Sequence, residues 1–350
     1  MTGRRPIGRR RLLAAGGALG ALAAGGSALV AAAGRRPAAR SGADTSADVA
    51  TPGDIGPRFT LSAASEPLVR QVPLAGSATV MQSFGFDVPN GRILVAQIQK
   101  RAEGNLRLSR LTLDGDLDGE MVLQGFGHGG QIGVEPDGDG TWVWVETDPA
   151  VTGRSAWGRR IARLRFEDGA TVGSGDRTVR TWDIVPGGTR LTCSVDTRFG
   201  QLAVRYSRAG AVRFRVLDLA SVKAGRPAVR YDLPAPPPHA TAQNPHPDSQ
   251  GFAVYGSTLY TLEGNPYSEA NTAEQRGNAY LTCTDMAVRG GRVVESRLIT
   301  DGLKLPFREP EGVAVLLPDG NGGPERLAFG FASIDPDGNR LASIYAKRMA

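Results

Sequence analysis

The stretch Gln131–Glu146 reads QIGVEPDGDGTWVWVE and decides the fold class. A small residue, an apolar residue and an acid come first, and the turn PDGDG follows. The run TWVWV then has the two-residue period of a β-strand. Four other segments have a similar order of features. They are QSFGFDVPNGRILVAQ (82–97), TCSVDTRFGQLAVRY (192–206), SQGFAVYGSTLYTLEG (249–264) and PEGVAVLLPDGNGGPERLAFG (310–330).

Aligned on one apolar position, the five segments recur at intervals of 48, 61, 57 and 61 residues. Repeats of this length, each with room for about four short strands, are typical of propeller blades. The sequence therefore predicts an all-β fold, a five-bladed β-propeller, and a β-sandwich with an irregular repeat is the alternative. The aligned positions, each with the small residue before it, are Gly85-Phe86, Gly133-Val134, Ser194-Val195, Gly251-Phe252 and Gly312-Val313.

The last repeat is too short to form a whole blade. Only 38 residues run from Val313 to Ala350, fewer than any interval between repeats. The segment PRFTLSAASEPLVRQVPL (57–74) precedes the first repeat and belongs to none. We predict that it supplies the missing strand, so that an N-terminal strand closes the ring and removes an exposed edge.

The first 57 residues differ in composition from the repeats. Eight arginines and no acid lie in the first 40 residues, and the rest of the chain carries 33 basic against 35 acidic residues. Overall charge therefore gives no support to nucleic-acid binding. Arg9-Arg10 before the apolar run 12–33 resembles a twin-arginine export signal, and cleavage or retention of this leader as an anchor stays open. We predict a signal peptide at 1–33, a disordered linker at 34–57 and the propeller at 58–350.

The two cysteines, Cys193 and Cys283, could form a disulfide in an exported protein. Each follows a Leu-Thr pair, but the repeat places them in different strand positions of neighbouring units. We therefore predict two buried thiols rather than a disulfide.

Two motifs suggest ligands that the repeat does not support. Gly125, Gly127 and Gly130 form a G-x-G-x-x-G pattern, but a turn and a strand follow it where a dinucleotide loop requires a helix. The acidic turns DGDLDGE (114–120) and PDGDG (136–140) lack the glutamate that completes an EF-hand loop. We predict no cofactor and no metal, with calcium at one of these turns as the alternative left open.

The repeat predicts a binding site at the centre of the ring. The segments that lead into the innermost strands gather on one face of a propeller, so their polar residues should surround a central funnel. Arginine suits phosphate there, and glutamine or glutamate suits hydroxyl groups. The alternative is that these groups hold water or cap strand ends. The candidate ligand-binding residues are Gln82, His128, Gln131, Arg190, His246, Gln250, Arg308, Glu309 and Glu311.

Several motifs together resemble a known family. The strings MQSFGFDVPNGRILVAQ, GFGHGGQIGVE, TCSVDTRFGQLAVRY, QGFAVYGSTLYTLEG and REPEGVAV followed by GFASIDPDGNR are similar to the propeller of teichoic acid biosynthesis protein C-like proteins and of phage receptor-binding proteins. The resemblance implies a five-bladed propeller and a link to cell-envelope glycopolymers, and it supplies no catalytic residues. The matching motif positions are His128, Gln131, Glu135, Gln250, Arg308, Glu309 and Glu311.

We therefore expect an exported protein of the cell envelope, a monomer, that binds a teichoic-acid-like glycopolymer or a related glycan through the funnel. A glycan hydrolase or lyase that uses His, Arg and Glu residues of the same funnel is the alternative, and the enzyme question stays open. A scaffold for protein partners is the third hypothesis, because a propeller fold does not fix function. No nucleic-acid partner is expected, nor a membrane span once the leader is cleaved.

Overall fold

The structure is a computed structural model that describes residues 57–272, 276–318 and 323–349. The signal peptide and almost all of the linker predicted from the sequence lie outside the described residues. Among the residues described, five sheets of four or five strands follow one another along the chain. The predicted five-bladed propeller is confirmed.

Each of the five sheets is one blade, and the blades are numbered in chain order. The first repeat forms blade 1, and the segment before it contributes strand β1 (Ser65–Pro73) to blade 5. Blade 2 also carries a two-stranded hairpin in the connection between its second and third strands. Blade 1 consists of β2 (Met81–Asp87), β3 (Arg92–Lys100), β4 (Asn105–Thr112) and β5 (Leu117–Gln124). Blade 2 consists of β6 (Gly133–Asp137), β7 (Gly140–Thr147), β10 (Arg160–Arg165) and β12 (Arg180–Trp182), with the hairpin β8 (Ala150–Thr152) and β9 (Ser155–Trp157). The short strand β11 (Thr171–Gly173) adds to β5 in parallel.

Blades 3 to 5 repeat the same antiparallel order. Blade 3 consists of β13 (Thr189–Asp196), β14 (Gln201–Arg208), β15 (Ala211–Asp218) and β16 (Val229–Pro234), with helix α1 (Leu219–Lys223) before the last strand. Blade 4 consists of β17 (Asp248–Tyr255), β18 (Thr258–Gly264), β19 (Ala279–Asp285) and β20 (Arg292–Ile299), with a 3-10 turn at Glu269–Asn271. Blade 5 consists of β21 (Glu309–Leu316), β22 (Arg326–Ile334), β23 (Arg340–Arg348) and β1.

Strand β1 closes the ring, as the short last repeat predicts. It runs antiparallel to β23, and the pairing extends from Ser65 opposite Lys347 to Pro73 opposite Leu341. An isolated bridge between Phe59 and Met349 continues the contact. The outer edge of β23 is therefore paired rather than open to another chain.

The hydrophobic core is divided among the five junctions between neighbouring blades. Five separate clusters of buried side chains fill them, one to each junction. Each blade is thus buried on both faces, which is why all of β2 is buried and not every second residue. Cys193 and Cys283 lie in two of these clusters as free buried thiols, as predicted.

The small residue of each repeat stands where innermost strands of neighbouring blades approach most closely. A Cβ atom on Gly85 would lie 2.5 Å from Val134, and one on Gly133 would lie 2.6 Å from Val195. A Cβ atom on Gly251 would lie 2.8 Å from the Gly312 Cα. A small residue therefore recurs in every repeat because the innermost strands leave no room for a larger side chain at the centre of the ring.

We expect Gly251→Ala to lower the free energy of unfolding by about 1–3 kcal/mol, because the added methyl group meets backbone atoms that cannot rotate away. Gly251 also has a φ of +154°, which alanine rarely adopts. Urea unfolding monitored by tryptophan fluorescence measures the change. Gly91→Ala is the control, because Gly91 has a positive φ with no atom within 4 Å of its Cβ position. Equal losses in the two variants would contradict a packing cause.

Candidate functional site

The upper face is the end of the propeller at which the innermost strands begin. The links between blades lie there, together with the loops between the second and third strands of each blade. The predicted site residues belong to these links or to the first residues of the innermost strands. The lower face is the opposite end, where the innermost strands finish.

The glycine-rich link 125–132 of the upper face is built around the buried carboxylate of Glu146. Glu146 accepts hydrogen bonds from the backbone N–H groups of His128 (2.9 Å), Gly129 (2.7 Å) and Gly158 (2.5 Å). A Cβ atom on Gly127 would lie 2.5 Å from the Glu146 side chain. Burial raises the pKa of Glu146 to about 7, against the opposing effect of these donors. The glycine-rich link therefore packs against the carboxylate of Glu146 and donates hydrogen bonds to it. Strand β6, rather than a helix, follows the glycines.

The ring of His128 stacks on Trp157, which ends the hairpin of blade 2. Their ring centroids are 4.0 Å apart with an angle of 13° between the planes. The Arg190 guanidinium lies 4.8 Å from the centroid of the same Trp157 ring. Burial, together with the charges of Arg101 and Arg190, lowers the pKa of His128 to about 3. His128 is therefore neutral at pH 7, and its buried Nδ1 has no hydrogen-bond partner among the described residues.

The upper cavity lies beside this stack, on the axis of the ring, and has a volume of about 40 Å³. That volume admits a few water molecules or one functional group of a ligand, so a larger ligand would lie across its mouth. Glu311 is 4% exposed and accepts a hydrogen bond of 3.2 Å from the Gln82 amide. Burial raises the pKa of Glu311 well above its usual value, and the charge of Glu309 raises it further. Four of the nine predicted residues line the cavity: Gln82, His128, Gln250 and Glu311.

Three arginines without an anionic partner among the described residues lie at or near the upper cavity: Arg205 lines it, and the exposed Arg101 and Arg190 are close enough to act on His128 by charge. The guanidinium groups of Arg101, Arg190 and Arg205 make no hydrogen bond or ion pair with any described residue. Arg205 is half-buried and lines the cavity, and burial together with the charge of Arg190 lowers its pKa to about 10. A partly buried positive charge next to another one is costly unless something compensates it, and this cost applies to Arg205.

Two further carboxylates stand at the rim on the other side. Asp248 is exposed at the start of β17 and accepts a hydrogen bond of 2.9 Å from Asn265. Glu309 is half-buried at the start of β21, and no hydrogen bond to its carboxylate occurs among the described residues. Burial raises the pKa of Glu309 to about 7, although Arg101 and Arg340 lower it through their charge. Partial desolvation of its carboxyl group also raises the pKa of Asp248, against the opposing effects of Arg190 and Asn265.

Gln131 lies on the axis and crosses the channel. It is 1% exposed, and its amide donates to the carbonyl of Val313 (3.0 Å) while accepting from the N–H of Phe252 (3.1 Å). Innermost strands have a sheet neighbour on one side only, so some of their backbone groups face the channel and need other partners. Gln131 of blade 2 thus joins blades 4 and 5 and fills the channel at this level.

Two of the nine predicted residues, Arg308 and His246, do not join the groups that line the upper cavity. Arg308 is fully buried and donates to the carbonyls of Ile299 (2.8 Å) and Asp301 (2.9 Å), so its guanidinium does not face the funnel in which the repeat places it. Its positive φ of 35°, which follows one of 71° at Phe307, directs it into the protein. His246 is exposed, and the described residues make no hydrogen bond or ring contact with its side chain.

Four residues of the upper face are not among the candidates predicted from the sequence. Trp157 belongs to a hairpin that only blade 2 carries among the described residues, so an alignment of repeats could not reveal it. Arg205 did leave a signal, because it is a lone arginine in the otherwise apolar run LAVRY. Arg101 lies in the turn between β3 and β4, and Asp248 begins β17. Nothing in their local sequence distinguishes these two from ordinary surface charges.

The lower face holds a larger cavity, of about 670 Å³, that contains none of the predicted residues. Valine, proline and leucine side chains make up much of its wall, and Arg198 pairs with Glu325 beside it at 3.4 Å. This cavity is the larger of the two, which favours it as a binding site, but its charged side chains Arg198 and Glu325 already pair with each other. Unpaired polar groups converge on the upper cavity, so we place the candidate site there.

No group of three or more His, Cys, Asp or Glu side chains in the described part of the chain could hold a metal ion. In the acidic turn at 114–120, Asp118 forms an ion pair with Arg110 at 3.2 Å. No described helix is long and apolar enough to cross a membrane.

The five blades and the N-terminal closing strand define the fold as a five-bladed β-propeller. The chain matches the family described as phage 5-bladed beta propeller receptor binding platform domain over residues 80–346, and it belongs to that family. This match confirms the family that the repeat motifs resemble.

Two relatives extend this comparison. The putative major teichoic acid biosynthesis protein C of Bacillus subtilis (strain 168) is 26% identical over 285 residues, which are 77% of this chain and 59% of that protein. The tail fiber of Staphylococcus aureus phage P68 shares the fold with a TM-score of 0.64 and 19% identity, over 83% of this chain and 54% of that chain. The chain therefore spans less than two thirds of the length of either relative.

Proposed function

We propose that this protein is an exported, cell-envelope-associated propeller that binds a cell-wall glycopolymer of the teichoic-acid type through its upper face. The observation that carries the proposal is the set of three arginines around the upper cavity, Arg101, Arg190 and Arg205, which have no anionic partner among the described residues. Arginine binds phosphate with two parallel hydrogen bonds, and a polymer phosphate would compensate these charges.

The other side chains of the upper face suit hydroxyl groups of a sugar or polyol. Gln82 and Gln250 present amides to the cavity, and Glu311, whose pKa is raised by burial, presents a carboxyl group. His128 contributes a neutral imidazole whose Nδ1 lacks a partner among the described residues. Arg190 and Glu309 stand at the rim as further ligand contacts, and His246 is a peripheral one. Gln131 supports the site by fixing the axis below it.

The relatives support the class of ligand and the location. The family is described as a receptor binding platform, and the Bacillus subtilis relative is described by a role in teichoic acid biosynthesis. Both descriptions suit a protein that acts outside the membrane on a wall polymer. The arginine-rich leader gives independent support for export.

Retention on purified cell walls tests the proposal. We expect the propeller to sediment with walls that carry teichoic acid and to remain in solution with walls from which the acid has been removed. Polyglutamate at equal charge controls for simple ion exchange and should not displace the protein. Equal retention on both kinds of wall would contradict the proposal.

A glycan hydrolase or lyase is the second candidate, and Glu309 favours it. A carboxyl group with a pKa of about 7 beside the buried carboxyl of Glu311 is the kind of pair that can protonate a leaving group. His128, with a pKa of about 3, is a poor base for such chemistry. New reducing ends or unsaturated products after incubation with wall polymer, absent with Glu309→Gln, would establish this activity. Wall polymer that is bound but never cleaved would exclude it for that substrate.

A further inference from the structure

The buried carboxylate of Glu146 does not line the upper cavity, but it holds two segments that do. Glu146 is the next-to-last residue of β7 and is completely buried. One of its oxygens accepts hydrogen bonds from His128 and Gly129 of the glycine-rich link, and the other accepts one from Gly158 at the base of the blade 2 hairpin. The link brings His128 to the cavity wall, and the hairpin brings Trp157. A single side chain therefore joins the two backbone segments that supply these rings.

The base of the hairpin is also joined to blade 3. The carbonyl group of Gly158 accepts a hydrogen bond of 2.9 Å from the N–H of Leu191, and the two residues form an isolated bridge. Leu191 directly follows Arg190, whose guanidinium lies 4.8 Å from the centroid of the Trp157 ring. The hydrogen bonds that start at Glu146 therefore extend to the strand that carries Arg190.

Both segments pack against Glu146 without room for adjustment. A Cβ atom on Gly127 would lie 2.5 Å from the Glu146 carboxyl carbon, and one on Gly158 would lie 2.5 Å from the Glu146 Cβ. The Glu146 side chain thus sets the separation between the link and the hairpin. This separation also sets the stack of His128 on Trp157, with ring centroids 4.0 Å apart. The buried Nδ1 of His128 has no partner in the described part of the chain, so no hydrogen bond at this atom orients the ring.

We propose that Glu146 is a positioning residue of the candidate site, which fixes the stack of His128 on Trp157 before a polymer binds. This inference rests on the proposed function and adds to it a residue that touches no ligand. Two large side chains that already have their bound geometry lose little conformational freedom on binding, which favours affinity. N–H donors from two segments need an acceptor at each oxygen, a requirement that a carboxylate meets and an amide does not.

Glu146→Gln tests this role, because it keeps the size of the side chain and replaces one acceptor oxygen by an NH₂ group. Either the link or the hairpin then loses its acceptor, and we expect the stack to open. The ring protons of His128, which the Trp157 ring shifts upfield in NMR spectra, should move towards the shifts of an unstacked histidine. Affinity for soluble teichoic-acid polymer should fall about tenfold, because the two rings must be ordered on binding. Fluorescence titration at pH 8 measures it, above the pKa of about 7 of Glu146.

Asp196→Asn is the matched control at the lower face. Asp196 is also a buried carboxylate that accepts hydrogen bonds from three backbone N–H groups. They belong to Arg198 (2.9 Å), Phe199 (3.1 Å) and Gly256 (3.0 Å), so Asp196 likewise joins two segments of the chain. Both substitutions should lower the free energy of unfolding. Only Glu146→Gln should change the histidine signals and the affinity.

Gly158→Ala displaces the hairpin by a second route, because its methyl group would overlap the Glu146 Cβ while the carboxylate stays in place. It should have the same two effects, and it decides the question if Glu146→Gln does not fold. Unchanged histidine signals and affinity in the folded variants would overturn the inference. An equal loss of affinity in Asp196→Asn would overturn it too, because the loss would then follow stability. Failure of the unchanged protein to bind would contradict the proposed function and the inference with it, whereas the other two outcomes leave the proposed function standing.

Discussion

Replacing Gln131 by leucine is expected to lower the free energy of unfolding by about 2–6 kcal/mol. Leucine fills a similar volume but offers no polar atom to the channel. The N–H of Phe252 and the carbonyl of Val313 would then lose the amide that joins them across the axis. Each buried backbone group left without a partner costs about 1–3 kcal/mol, and Gln131 serves groups of two blades. Urea unfolding monitored by tryptophan fluorescence gives the free energy directly.

Gln250→Leu is the matched control, because it makes the same chemical change at another predicted site residue. Gln250 is half-buried and makes one hydrogen bond, of 3.1 Å, to the carbonyl of Gly264. Only this one hydrogen bond is lost, so we expect a smaller loss, of about 1 kcal/mol. Similar losses in the two variants would show that Gln131 does not hold the axis together.

The fold was predictable because packing at the ring centre acts on every blade in the same way. Neighbouring innermost strands approach so closely that a Cβ atom on Gly133 or Gly251 would overlap the next blade. The same constraint at the same position of each repeat leaves a pattern in the sequence. The closing strand was predictable as well, since the short last repeat required a partner and segment 57–74 had no other place.

The site was predictable in part because the repeat fixes backbone positions but not the directions of side chains. Gln82, His128 and Glu311 lie where the alignment suggests, at the cavity. Arg308 occupies an equivalent position, but its positive φ turns the guanidinium towards backbone carbonyls inside the protein. Trp157 comes from an inserted hairpin that has no counterpart in the described parts of the other blades, so no repeat position could indicate it.

The double variant Arg190→Gln with Arg205→Gln is expected to weaken binding to teichoic-acid-bearing wall polymer about 100-fold. Each arginine would offer a phosphate charge-assisted hydrogen bonds worth about 1.5–3 kcal/mol, and every 1.4 kcal/mol changes affinity tenfold. Glutamine keeps a polar side chain but carries no charge. Fluorescence titration with soluble polymer at fixed ionic strength measures the affinity, because the attraction weakens as salt is added. Arg289→Gln, an exposed change between β19 and β20, should bind as the unchanged protein does.

Stability separates a binding role of these arginines from a structural one. Arg205 is half-buried beside Arg190, and neither has a counter-ion among the described residues. Two like charges placed in this way oppose folding, and lowering the pKa of Arg205 to about 10 is one sign of that cost. Removing them should therefore leave the free energy of unfolding unchanged or raise it, while binding is lost. A variant that unfolds more easily in proportion to its loss of binding would instead make Arg190 and Arg205 supports of the fold.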